Sequence, residues 1–275
     1  MTTTAVNCTP VECVLDAPLA LDQVSVFQRF ASLVSLKDRL VVELGGCLPS
    51  TAYRSHDVRA WLSVDPALDV SASDQSSAVR GTAEYLPVPD RCVDAVFSCN
   101  CLQHVQRPDL ALDEAARVLV RGGIFYANFG PIWSAPDGAH IEGLSYENSR
   151  YDFWTHTLLP AWSHLVFSSS EMLDVLSSVH GSDRAAAIVR WLDESQWTNR
   201  LTLRDYRVLF ERPDFHLMRF AGTCEFGYDF EPPVSSHPAM DRLSPGNLAA
   251  YVKRTYGLTM RDLAVRDLEV VLEKR

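Results

Sequence analysis

No stretch of about eighteen consecutive apolar residues occurs in this 275-residue chain, so nothing in it reads as a membrane-spanning helix. The opening residues, MTTTAVNCTPVECVLDAPLA, lack both the basic start and the apolar run of a secretory signal. Together these absences give the expectation of a cytoplasmic protein with no membrane partner. Its seven cysteines are odd in number and follow no framework spacing, a pattern that suits reduced thiols. Basic charge is scarce: 25 Lys and Arg against 35 Asp and Glu leave a net charge of −10, which argues against a broad phosphate-binding surface and against nucleic acid as a partner. A complete G-x-G-x-x-G is also missing, which ranks a dinucleotide-dependent oxidoreductase low. Internal repeats are absent, and the one biased tract is the Ser-rich SASDQSS at residues 71–77.

What is present is enough apolar residue, 47% of the chain, to bury one α/β core and a sizeable addition. Residues 21–36 carry Val24, Phe27, Phe30, Ala31 and Val34 at spacings of three and four, which predicts a helix before the core. RLVVEL (39–44), AWLSVD (60–65), VDAVFS (93–98) and GIFYANF (123–129) are short apolar runs of the kind found in strands buried on both faces. Between the last two, residues 109–119 show helical spacing, with Pro108 near the start and Gly122-Gly123 beyond the end. Strand, helix, strand within about thirty residues is a βαβ unit, so the sheet is expected to be parallel.

Residues 131–212 break the rhythm, because a simple crossover needs only a dozen or so residues. They are expected to form a mostly helical cap holding Trp154, Trp162, Trp191 and Trp197, with Trp133 at its entrance. FHLMRF (215–220) and DLEVVLEK (267–274) read as two final strands, with a proline-rich loop and a helix from about Pro245 to Tyr256 between them. The expected division is a core of residues 1–130 and 213–275 and an insertion of residues 131–212.

Open parallel sheets bind ligands beyond the carboxyl ends of their strands, near the point where strand order switches. Glu43-Leu44-Gly45-Gly46-Cys47 stands there after the first strand, where glycine lets a backbone approach a ligand. About twenty residues on, Asp65 ends the second strand, at the spacing where a carboxylate accepts both hydrogen bonds of a ribose diol. Taken singly, Gly45-Gly46 could be a plain turn and Asp65 a helix cap before Pro66.

With VVELGG (41–46), WLSVDPA (61–67), the block from Gly81 to Gly123 and the strand after it, residues 39–129 resemble the class I S-adenosylmethionine-dependent methyltransferases, in particular their small-molecule branch. The block is the most specific part: an acidic-Leu-Pro order, a strand containing Asp94, the triplet Leu102 to His104, then Glu114, Arg117-Val118-Leu119 and Gly-Gly. The resemblance implies a Rossmann-like, mostly parallel seven-stranded sheet with an antiparallel last strand. Its implied cofactor is S-adenosyl-L-methionine. Glu43, Gly45 and Gly46 would shape the loop beneath the methionine part, Asp65 would hold the ribose, Thr82, Ala83 and Glu84 would lie against the adenine, and Ser98 and Cys99 would meet the amino-acid end. One departure stands out: Cys47 replaces the second spaced glycine, and Leu48-Pro49 replace small residues. A side chain at 47 forces a shift of the loop or strain of about 1–3 kcal/mol.

Around this frame the candidates divide. Asp94 starts a strand and reads as structural, and Glu114 and Arg117, at i and i+3, are expected to pair. Cys99-x-Cys101-x-x-His104 resembles metal-ligand spacing, but no second cluster completes a closed zinc site, so no metal is assigned. His140, just past the fifth strand and after Gly138, is a candidate general base, with His104 as the second and a surface or turn-packing role as the alternative for each. Trp133, Tyr151, Trp154, His156, Trp162 and His164 could line an acceptor pocket or form the core of the cap. The expected function is methylation of a small molecule, a tailoring step of secondary metabolism, by a protein that could form a homodimer. The alternatives are a binding or regulatory protein that lost the cofactor, and an enzyme using the same pocket for a non-methyl reaction.

Overall fold

Alternation along the strands decides which helix each residue meets. A computed structural model describes residues 13–20, 22–46, 48–68 and 78–275. The Ser-rich tract and the place of Cys47 lie outside them, as does the first residue of the expected 21–36 helix. That helix, α1, spans Gln23–Leu33; Asp22 caps it by accepting the Ser25 amide at 2.8 Å. Parallel strands follow: β1 (Leu40–Leu44), β2 (Ala60–Asp65), β3 (Ala78–Arg80), β4 (Val93–Cys99) and β5 (Leu119–Phe129). A short helix α2 (Ser50–Tyr53) follows β1, and α3 (Pro108–Val118) joins β4 to β5.

After β5 come a hairpin, β6 (Leu144–Tyr146) with β7 (Ser149–Tyr151), and helices α4 (Ser163–Val166), α5 (Ser169–His180), α6 (Ser182–Glu194) and α7 (Leu203–Phe210). The chain closes with β8 (Phe215–Thr223), α8 (Pro245–Tyr256), α9 (Met260–Ala264) and β9 (Asp267–Lys274). Seven strands form one sheet in the order β3-β2-β1-β4-β5-β9-β8, in which β9 runs antiparallel to both neighbours. The reversal of strand order therefore falls between β1 and β4. No helix among the described residues is long and apolar enough to cross a membrane.

Val41, Ala95, Phe97 and Tyr126 face one side, where Val26, Phe27 and Phe30 of α1 cover them. Val42, Val96, Phe125 and Ala127 face the other and pack with α3, α7 and α8. Phe97 is the hub of the first layer: its ring lies 5.2 Å from Phe30, 5.7 Å from Trp61 and 6.0 Å from Tyr126.

The expected insertion divides in two. Ala139, Leu144, Tyr151, Leu176 and Ile188 build a small core of their own. Leu203, Tyr206 and Phe210 of α7 instead pack on the sheet beneath Phe129, so this last helix serves the main core. Asp94 sits at the amino end of β4 and holds Arg39, Arg59 and the Leu40 amide, away from the ligand end. Glu114 and Arg117 do pair, at 2.7 Å, and both also clamp the loop before β4 through the Leu86 amide and the Leu86 and Val88 carbonyls.

Cutting Phe97 to Ala removes a ring touched on several sides, and unfolding by urea is expected to show a loss of about 3–5 kcal/mol. A loss under about 1 kcal/mol would show that this layer is loosely packed.

Candidate active site

At the carboxyl end of β1 the chain turns through Gly45 and Gly46, with φ of +72° and +119°. Any side chain at 45 would collide with the Cys101 side chain, so the crook needs glycine both for its conformation and for the space. Glu43, one turn below, is fully buried and gathers donors from three elements: Gln23 Nε2 at 2.6 Å, Trp61 Nε1 at 2.9 Å, the Leu48 amide at 3.0 Å and the Ser63 hydroxyl. Burial raises its carboxyl above the ordinary range, and the bonds from Ser63, Trp61 and Leu48 pull it back. Asp65 ends β2 and ties the crook from the other side, accepting the Gly46 amide at 3.1 Å and the Ala67 amide at 2.7 Å.

These residues open onto a cavity of about 1060 Å³. Gly45, Gly46, Asp65, Thr82, Ala83 and Glu84 all line it, as do His104, His140 and Trp154. Other expected residues sit elsewhere. Glu43 lies beneath the loop; Ser98 is buried and donates to the Leu44 carbonyl; Cys99 packs among the aromatic residues under α1, where burial pushes its thiol up to about 12. The strand carries on to Cys99, and contact with the cavity passes to Asn100, at φ +47°, and Cys101. Leu48 is likewise buried against α1 and does not fill the crook. Trp133 packs with His164 and Arg200, Tyr151 belongs to the core of the cap, and His156 lines a separate, smaller cavity.

His104 and His140 stand together, ring centres 4.9 Å apart. The Nδ1 of His104 lies 2.7 Å from the Trp197 carbonyl; a carbonyl only accepts, so Nδ1 carries the hydrogen and Nε2 keeps a lone pair. Burial, with His140 adding to it, lowers the pKa of His104 to about 4. His140 is held at φ +48°, its amide donating to the Asp137 carbonyl, and its Nε2 lies 3.5 Å from Glu142. Burial lowers its pKa as well, against the pull of Glu142.

Several wall residues carried no local signal. Leu19 and Ala20 reach the cavity because Asp267 accepts the Ala20 amide at 3.0 Å and Asn128 donates to the Pro18 carbonyl at 3.3 Å. Arg266 lines the cavity too, bound to Asp137 at 2.9 Å and Asp267 at 2.6 Å. Glu142 was within reach of the sequence, two residues past His140; Phe153, Trp197 and Tyr228 looked like any other aromatic residue.

Residues 52–127 match the family model described as a methyltransferase domain, and they fall on the part of the fold that carries Asp65, the 82–84 wall and His104. Over these residues the chain is similar to the class I S-adenosylmethionine-dependent methyltransferases. An uncharacterised methyltransferase of Mycobacterium avium is 31% identical over 121 residues, covering 41% of this chain and 47% of that one. A malonyl-[acyl-carrier protein] O-methyltransferase of Methylococcus capsulatus is 34% identical over 87 residues, covering 28% and 32%. The matches thus span about half, or less, of these curated relatives. An S-adenosylmethionine-dependent methyltransferase structure from Mesorhizobium loti superposes with a TM-score of 0.50 over 92% of this chain and 98% of that one, at 16% identity, a likeness of fold.

Glu43→Ala leaves the buried donors of Trp61 and Ser63 without the acceptor they bond in the native chain. At about 1–3 kcal/mol for each orphaned donor, denaturant unfolding is expected to show a loss of about 2 kcal/mol or more. The imidazoles give a pH test. His104 and His164 have pKa values lowered to about 4 from an ordinary 6.5, so between those values the unfolded chain binds protons that the native one does not. Their contribution is intact above pH 6.5 and is lost as the pH falls toward 4. Imidazole NMR titrations are expected to give midpoints near 4, and a midpoint above 6 for His104 contradicts its burial.

Proposed function

We propose that this protein transfers the methyl group of S-adenosylmethionine to a small-molecule acceptor held beneath the cap. One observation carries the reading: a single cavity is lined both by the crook at Gly45 and Asp65 and by the His104–His140 pair. At about 1060 Å³ it exceeds the roughly 300–1,000 Å³ usual for one drug-sized ligand, which supports room for a nucleoside and a second molecule.

The residues present fit a sulfonium nucleoside. The crook carries no side chain at 45 or 46. Each oxygen of Asp65 accepts one backbone amide and retains a lone pair for a diol hydroxyl. Ala83 and Glu84 offer an apolar surface and an acceptor on the same wall, held in place by the Glu114–Arg117 clamp on the following loop.

When bound, the cofactor supplies a methyl carbon already activated by its sulfonium. The protein then has to align a nucleophile and, where that nucleophile is acidic, remove its proton. Of the two histidines His104 is the better base, because its bond to the Trp197 carbonyl fixes the tautomer with Nε2 free. His140, facing Glu142, stands against its ring and keeps it in place.

Calorimetry with S-adenosylmethionine and S-adenosylhomocysteine tests the reading. Both are expected to bind, and Asp65→Ala is expected to weaken each at least tenfold. His104→Ala should leave those affinities intact while cutting methyl transfer at least tenfold on any acceptor found by screening with labelled cofactor. Absence of nucleoside binding would favour the fold-only alternative, and binding without transfer to any acceptor would favour a non-methyl reaction.

A further inference from the structure

The wall of the cavity away from the crook has a chemistry of its own. Trp154 and Trp197 are 43% and 42% exposed, unusual for large aromatic residues, and both line the cavity. Phe153 stands at 76° to Trp154 and at 80° to Tyr228, with ring centres 4.8 and 5.9 Å apart, so the three rings form the corner of a box. The carboxylate of Glu142 lines the same cavity. Its Oε2 accepts the Trp197 indole N–H at 3.1 Å and faces His140 at 3.5 Å, while no bond from the described residues engages Oε1.

The balance of charge points one way. Arg266 is the basic residue of this wall, and two buried carboxylates, Asp137 and Asp267, flank it. Its positive charge is therefore more than neutralised from behind, and the neighbouring histidines are neutral at neutral pH. What remains is a carboxylate with a free oxygen among aromatic faces, the setting in which a desolvated ammonium is attracted both by ring quadrupoles and by the opposite charge.

We infer that Glu142 with Phe153, Trp154, Trp197 and Tyr228 forms a binding site for an ammonium group, and that the molecule taken by this half of the cavity is an amine or quaternary ammonium compound. Naming that molecule the methyl acceptor rests on the methyl-transfer reading; the site for the cation does not. A neutral molecule of equal shape would gain only the apolar contact. An anion would meet Glu142 without a free cation to offset it.

Choline and 3,3-dimethylbutan-1-ol separate charge from shape, since they differ only in nitrogen against carbon at the centre of the bulky end. Calorimetry on the full chain, with and without S-adenosylhomocysteine, is expected to show choline binding at least tenfold tighter. Glu142→Gln and, separately, Trp154→Ala should each reduce that preference at least fivefold with the thermal midpoint retained. The partly exposed Trp154 provides the second test if the Glu142 variant does not fold. Equal affinities, no binding of either probe at 10 mM, or a preference that survives in the folded variants would overturn the site. Loss of nucleoside binding with the choline preference kept would refute methyl transfer alone.

Discussion

A buried carboxylate underwrites the ligand end of this sheet. Glu43 cannot reach water, so its charge is sustained only by the donors folded around it, and those donors come from α1, from the segment after the crook and from β2. Each bond fixes one element relative to another. Together they hold the crook open while its backbone turns through two glycines, and they leave the Asp65 carboxylate facing the cavity it borders. The same residue thus acts on the crook end of the cavity without lining it.

A second buried cluster does the corresponding work for the rest of the cavity. Arg266 joins Asp137, from the segment after β5, to Asp267 at the start of β9; Asp137 also accepts the Tyr228 hydroxyl at 2.6 Å, and Asp267 holds the segment before α1. Gly130 lets this happen, because any side chain there would strike Asp267. Four distant stretches of chain therefore meet at one guanidinium. Asp267 is pushed up to about 6 by burial, against the pull of Arg266, and the cluster sets an excess of carboxylates, two of them, against one guanidinium. That excess leaves Arg266 a joint in the wall and not an anion receptor, and it makes the aromatic corner beside Glu142 suited to a cation.

Much of this was legible in the residues themselves. Runs such as VVEL and AVFS read as strands covered on both faces, the 109–119 pattern reads as the crossover between two of them, and Gly45 and Asp65 fall at strand ends by counting; Ala83 came from the family resemblance. Local rules sufficed there, because burial of a strand and the reach of a short crossover are set within about thirty residues. The same rules ended β4 one residue short, at Ser98 where the strand runs to Cys99, since where a strand stops depends on its neighbour: Asn100 turns away only after its amide meets the Asn128 carbonyl.

What the sequence determined by itself, then, was six of the seven strands in chain order, the glycine turn after β1 with Asp65 at the end of β2, and a helical stretch between β5 and β8; the short edge strand β3 carries no apolar run to announce it. Only the tertiary structure decided which aromatic residues of that insertion face open space and which form its core: Trp154 lines the cavity, while Tyr151, three residues earlier, is buried in the cap. It also decided that α7 serves the sheet, and that residues 19, 20, 142, 228 and 266 share one wall. The physical reason is that an aromatic ring or a carboxylate reads the same in sequence whether it is packed or waiting. The difference lies in partners contributed from up to two hundred and more residues away, and no local periodicity encodes them.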